Sequence, residues 1–173
     1  MKEKIIAHKK PLILIALAVV VLFCLWYTRP KSWIDLADSY GEVQEVSAGV
    51  RIWWYDDALE HQSQSYSLRV DGDSDTAKEL LLLLENNRYR RMLQTIFPRN
   101  SIDGGDYSAC EINAATLSVN LVYGDTVLYM SVMGDRLSFR DLNTNGLRAY
   151  TIQDPSLSDA LSRFIMEHGT LDE

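Results

Sequence analysis

The chain is predicted to be an α+β protein: an N-terminal transmembrane helix followed by one mostly antiparallel sheet with two main helices packed on one face. Three observations predict it. Residues 12–27 are apolar throughout, residues 117–150 alternate apolar and polar side chains between Gly-containing turns, and residues 157–165 place apolar side chains at i, i+3, i+4, i+7 and i+8. Of 173 residues, 47% are hydrophobic and 24% charged, with four Pro and nine Gly. That balance excludes collagen-like, low-complexity and disordered chains.

Residues 11–27 carry no charge, which at 1.5 Å per residue gives about 25 Å of helix against a ~30 Å hydrocarbon core. Lys9 and Lys10 can snorkel at one end, and Trp26 and Tyr27 suit the headgroup level at the other. Residues 1–29 hold five Lys/Arg against one acid, whereas residues 30–173 hold 12 against 23. The excess of lysines before the run keeps the amino terminus inside. The expected division is a cytoplasmic tail at 1–10, a signal-anchor helix at 11–28 and an extracytoplasmic domain at 29–173, at the cell membrane. A cleavable signal peptide would need small residues at −3 and −1, and the run ends Cys24-Leu-Trp-Tyr-Thr-Arg-Pro. A lipidated cysteine would need a small residue before it, and Cys24 follows Phe23. Cys110 is the one cysteine beyond the helix, so the outer domain has no internal disulfide and must rest on its core; about 140 residues bury roughly two thirds of their unfolded surface.

Residues 28–32 form a short link that keeps the domain near the bilayer. Trp33, Ile34, Leu36, Ala37 and Tyr40 repeat at helical spacing and are expected to cap the domain, since Asp35, Asp38 and Glu42 disfavour anionic lipid. Val50, Ile52 and Trp54 alternate with Arg51, Trp53 and Tyr55, and Tyr66, Leu68 and Val70 with Ser67 and Arg69, predicting a hairpin with a long loop over 56–64. Adjacent tryptophans on a strand point to opposite faces; Trp54 shares the apolar face and is expected in the core, Trp53 outside. Thr76 and Glu79 have capping-box spacing before a helix through Leu84, whose five leucines predict burial on two sides. Turns at Gly124-Asp125, Gly134-Asp135 and Asn145-Gly146 separate the following strands. Asp154 and Pro155 start the last helix, which is expected to bury Leu157, Ala160, Leu161, Phe164 and Ile165 before stopping at His168 and Gly169.

Two segments have the look of cation loops. Asp141, Asn143, Asn145 and Gly146 copy half of a calcium loop, but the twelfth position is Ile152 where a bidentate Glu is required, so a hairpin turn is expected. The acids of 71–75 are expected to serve the start of the following helix. No metal or other cofactor is therefore predicted. Trp53 and Tyr55 are candidates for an aromatic contact surface for a sugar or protein. Arg88, Arg90 and Arg91, with Arg99 farther on, form the basic cluster of an acidic domain and suit a carboxylate, phosphate or sulfated sugar; the competing expectation is pairing with Glu85. Nucleic acid is excluded by charge and location. His8, His61 and His168 have no partner motif, and the Asp56-Asp57 pair has no set separation, so no catalytic residue is nominated and no enzyme is expected.

Trp33-Ile-Asp-Leu, the strands around Trp54 and Leu68, Leu80 to Glu85, Arg88-Tyr-Arg-Arg-Met-Leu, the later strands and the final helix together resemble small membrane-anchored extracytoplasmic proteins of Gram-positive, clostridia-like bacteria, whose families have no assigned activity. The resemblance spans residues 33–168. It implies a fold and an address and brings no catalytic residues. The reading reached is a single-pass, membrane-anchored binding or interaction module whose partners are the lipid bilayer and another envelope or membrane protein. The alternative is an envelope assembly or accessory subunit whose membrane helix binds a partner, and a hydrolase without a recognised motif ranks third.

Overall fold

The computed structural model describes residues 2–37, 40–55, 57–93, 106, 108, 110–112, 114–143 and 146–172. Arg99, Asn145 and Asp56 therefore lie outside the described residues. The order of elements is α1 (Lys2–Tyr27), β1 (Pro30–Lys31), α2 (Trp33–Ala37), β2 (Glu45–Tyr55), β3 (His61–Asp71), α3 (Asp75–Glu85), β4 (Tyr89–Arg91), β5 (Ala114–Tyr123), β6 (Thr126–Met133), β7 (Arg136–Asp141), β8 (Gly146–Ile152), α4 (Ser156–His168) and β9 (Thr170–Asp172). The architecture is α+β. One open nine-stranded sheet runs β1-β4-β8-β7-β6-β5-β2-β3-β9, with every neighbouring pair antiparallel.

The sheet's centre is a meander because its turns are short and correctly furnished. Gly124 and Gly134 have φ of +54° and +58°, the left-handed backbone that two-residue hairpin turns require and that glycine adopts without a Cβ penalty. Register then stacks the apolar side chains in rows: Ala48, Val119, Met130 and Phe139 form one, and Val50, Leu117, Val132, Leu137 and Tyr150 another. The outward face carries Ser47, Gly49, Ser118, Asn120, Ser131 and Ser138 in the same registers. One side is core and the other is polar, as an antiparallel sheet with a single covered face requires.

Helix α4 lies against β2, β3 and β5, α3 against β3 and α4, and α2 against α3. The two main helices share the layer the sequence predicts for them, with α2 completing it. Trp33 of α2 is buried and packs edge-on to Tyr89 and Phe139, so this segment caps the domain. A reciprocal cap starts it: the Asp35 N–H donates to Ser32 Oγ and the Ser32 N–H donates to Asp35 Oδ2. Those hydrogen bonds from Ser32 hold the Asp35 carboxyl below its ordinary value.

Several elements depart from the sequence expectation. The cap of α3 is Ser74, whose hydroxyl accepts from the Ala77 N–H, two residues before the expected Thr76. Burial of α3 is one-sided, with Leu80 and Leu84 inside and Leu82 exposed, because only one flank meets the sheet layer. The β2–β3 loop is 56–60 instead of 56–64: His61 to Ser65 continue the strand even though neither of their faces is apolar, so no alternation marked them. Trp54 is 38% exposed instead of buried. It belongs to the part of β2 that, among the described residues, pairs with β3 alone.

The buried face of α4 is also rotated from the expected one. Leu157, Leu161 and Ile165 are buried together with Ser158, Asp159 and Ser162, whereas Ala160 and Phe164 are partly exposed. Phe164 rests on His168, 4.4 Å between ring centroids. Leu161→Ala is therefore expected to cost about 3–5 kcal/mol and Phe164→Ala only about 1–2 kcal/mol, because a half-exposed ring leaves no closed cavity. Urea midpoints of the two variants, with m unchanged, check the order.

Helix α1 stands apart from this core. Every large apolar side chain from Leu12 to Phe23 is exposed, by 45–66%. Among the described residues no helix is long and apolar enough to cross a membrane.

Candidate functional site

Two surfaces carry the residues nominated from sequence, and they lie at opposite parts of the sheet. Trp53 and Tyr55 are on β2, and Arg88, Arg90 and Arg91 precede or form β4. In the strand order, β4 and β2 are five positions apart, about 24 Å at ~4.8 Å per strand. The two sets are not one site.

The first surface is an arm. β2 pairs with β5 only as far as Ile52, where the register shifts between Arg51 and Ile52, while β2 and β3 stay paired to Tyr55 and His61. A bulge of this kind ends one pairing and lets the other ribbon continue. On one face of the ribbon three rings meet: Trp53 stacks on His61 at 5.6 Å and 18°, and Tyr55 stands edge-on to Trp53 at 5.6 Å and to His61 at 5.9 Å. His61 joins them because register places it opposite Tyr55 and diagonal to Trp53. The sequence places His61 in the 56–64 loop with no partner motif, because the start of β3 has no apolar face to mark it. Trp54 lies on the opposite face and Leu59, 81% exposed, at the tip. Such an arm presents flat apolar faces with polar edges, chemistry suited to stacking against a sugar or packing into a partner's groove.

The second surface is the β1–β4–β8 edge. Arg90 is opposite Thr151 and lies on the outward face, whereas Arg91 is opposite Tyr150 and so ends the second core row. The Arg91 guanidinium carbon lies 4.5 Å from the centroid of the Tyr27 ring at the foot of α1, a cation–π distance. Tyr150 is buried, and burial raises its pKa, while Arg148 and Arg91 act in the opposite direction. Arg88 is exposed; its N–H donates to Asn87 Oδ1 and its carbonyl accepts from the Gln153 N–H. The expected pairing with Glu85 does not form among the described residues, where the ion pairs are Arg69–Glu45, Lys78–Asp75, Arg136–Asp135 and Arg163–Glu111.

A cleft of about 490 Å³ opens between α2, α3 and the start of β2. Trp33, Val43 and Leu81 supply apolar lining, and Glu42, Asp73 and Glu85 surround it with carboxylates. Tyr123 also lines it, its ring tilted against Tyr40 at 5.7 Å and 38°, with its hydroxyl pKa pushed up to about 12 by burial. Its acidic rim disfavours anions.

Asp141 and Asn143, at the end of β7, are used in local hydrogen bonds, and Asn145 lies outside the described residues. Asp141 Oδ1 accepts from the Asn143 N–H, and the Asn143 amide donates to Asp125 O and Thr126 Oγ1, tying the end of β7 to the β5–β6 turn. Asp159, not singled out from sequence, is the most used buried carboxylate: Oδ2 accepts from the Glu111 N–H and Oδ1 from the Ile112 N–H. Its one signal was an acid on the flank of an apolar helical stripe. Compared with known proteins, the chain matches no family model, no curated protein and no solved structure.

Proposed function

We propose that this chain is a single-pass, membrane-anchored, extracytoplasmic binding module of a Gram-positive-like envelope, recognising its partner through the β2–β3 arm. The observation that carries the binding role is the arm itself: a ribbon that leaves the sheet and holds Trp53, Tyr55 and His61 on one face, with Tyr55 60% exposed. Rings at such a position add little to the core and are well placed for recognition.

Anchoring is supported by α1. Its uncharged stretch is apolar on all sides and exposed around its whole circumference, a surface that water disfavours and a bilayer accepts. The ~5 Å by which about 25 Å of helix falls short of the hydrocarbon core is within the reach of flanking lysines and local thinning. Lys2, Lys4, Lys9 and Lys10 then put the amino terminus in the cytoplasm.

One set of full-length variants tests both parts. Leu17→Arg places a charge at the middle of the apolar stretch, at about 2.5–3.5 kcal/mol, and is expected to move the chain out of the alkali-resistant membrane fraction; unchanged retention would remove the anchor. Trp53→Ala with Tyr55→Ala should leave stability within about 1 kcal/mol of wild type and abolish the cross-linked partner recovered by the wild-type chain. A large fall in denaturation midpoint, or an unchanged set of cross-links, would sink the arm as recognition surface.

A further inference from the structure

Six cations lie at the edge where α1 meets the sheet. Arg29 follows Tyr27 by two residues, Lys31 is on β1, Arg88, Arg90 and Arg91 lie at or on β4, and Arg148 is on β8. Among the described residues none of these six forms an ion pair, although carboxylates outnumber cations about two to one beyond residue 30 and Arg69, Lys78, Arg136 and Arg163 all find one. Among the described residues, two carboxylates near the group are already hydrogen-bonded, and Asp35 also interacts with the charges of Arg29 and Lys31. Asp35 caps α2 through Ser32, and Asp141 accepts from the Tyr40 hydroxyl and the Asn143 N–H.

Arg91 is the centre of this arrangement. It ends a core row, its guanidinium lies over the Tyr27 ring, and its Nε is buried with no hydrogen-bond partner among the described residues. A buried charged donor without an acceptor is costly, and the great majority of such groups are satisfied. Arg148, exposed, lies two residues before Tyr150 on β8, and its charge acts with that of Arg91 on the Tyr150 hydroxyl. Tyr27 fixes the depth: an aromatic ring at the end of an apolar helix sits at the headgroup level, and a guanidinium stacked on it sits beside the phosphates.

We infer that this edge is a headgroup site, in which Arg91 and Arg148, flanked by Arg29 and Lys31, hold the phosphate of an anionic lipid in the leaflet that α1 enters on the domain side. The inference rests on the anchoring proposed above. It adds a second attachment, which fixes the orientation of the domain on the bilayer and so directs where the arm points.

The test uses the full-length chain in micelles of a neutral detergent, with arginine Nε–H signals followed by nitrogen-15 NMR and assigned by Arg91→Lys and Arg148→Lys. Short-chain phosphatidylglycerol is expected to shift the Arg91 and Arg148 signals saturably, with short-chain phosphatidylcholine and inorganic phosphate inert at the same concentrations. Arg148→Gln, on an exposed side chain, should weaken the response about fivefold. No shift, an equal response to inorganic phosphate, or equal shifts at Arg69 and Arg163 would each overturn the site. Alkaline extraction of the same chain from vesicles keeps the two readings apart: retention without the shift removes the headgroup site alone, and release removes the anchor.

Discussion

A single methyl group at position 72 is expected to cost the domain about 3–5 kcal/mol, enough to unfold much of a domain of ordinary stability. A Cβ on Gly72 would stand 2.0 Å from the carbonyl oxygen of Val43 and 2.5 Å from its carbonyl carbon. Both are backbone atoms, so no side chain can swing aside. The Gly72 N–H donates to Gln44 O, and the Gln44 N–H in turn donates to Val122 O. Moving the chain at 43–44 therefore loosens β3, the start of β2 and β5 together. Gly124→Ala is the control, because its Cβ would meet nothing within 4 Å although φ is +54°; it is expected to cost only about 1–2 kcal/mol of left-handed strain. Urea denaturation of both variants checks the contrast, and equal midpoints would show that the contact at Val43 relaxes without loss.

Asp159→Ala is expected to cost about 3 kcal/mol, a large effect for a polar substitution. The residue is 6% exposed and both its oxygens accept backbone N–H groups, at 2.9 and 3.0 Å. Hydrogen bonds to a charged acceptor are worth about 1.5–3 kcal/mol each, and truncation leaves both donors seeking partners. The change also reaches Cys110, whose thiol pKa is raised first by burial and then by the negative charge of Asp159. Asp159→Asn removes the charge, so the alkylation rate of Cys110 should rise at neutral pH. Pro155, not the expected Asp154, is the N-cap of α4 and makes no side-chain cap bond, so Asp154→Ala, at an exposed carboxylate that accepts the Ser156 N–H at 3.0 Å, should cost about 1 kcal/mol as the loss of one turn hydrogen bond. Equal losses for Asp159→Ala and Asp154→Ala would rule out the buried clamp.

Legibility followed the presence of a periodic apolar signal. Leu117 to Tyr123 and Leu128 to Val132 alternate because one sheet face is covered and the other wet, so their strands and turns could be read directly. Beyond Ile52 no residue of the arm is fully buried among the described residues. His61, Gln62, Ser63, Gln64 and Ser65 therefore show no alternation, and their strand was hidden. The short strands β1, β4 and β9 have two or three residues each, too few for any period to register, yet β4 positions Arg91.

The candidate sites divide in the same way. That Trp53, Tyr55 and the arginines are chemistry-bearing groups could be read from residue type. That Trp53 and Tyr55 gather with His61, while the arginines lie about 24 Å away at the foot of α1, depends on strand order and register.

What the sequence by itself determined was local: a charge-free apolar helix with lysines on one side, an α+β composition, the Gly turns and the terminal amphipathic helix. Each follows from interactions among residues a few positions apart, where spacing alone decides which side chains meet. Tertiary structure decided the rest: the order of the nine strands, which flank of α4 is buried, the exposure of Trp54, the role of Asp159 and the placing of Arg91 over Tyr27 with no ion pair among the described residues. Those depend on pairs such as Asp159 with Ile112, or Arg91 with Tyr27, that are far apart along the chain. Their contact energies exist only once the layers have packed, so no local pattern in the sequence carries them.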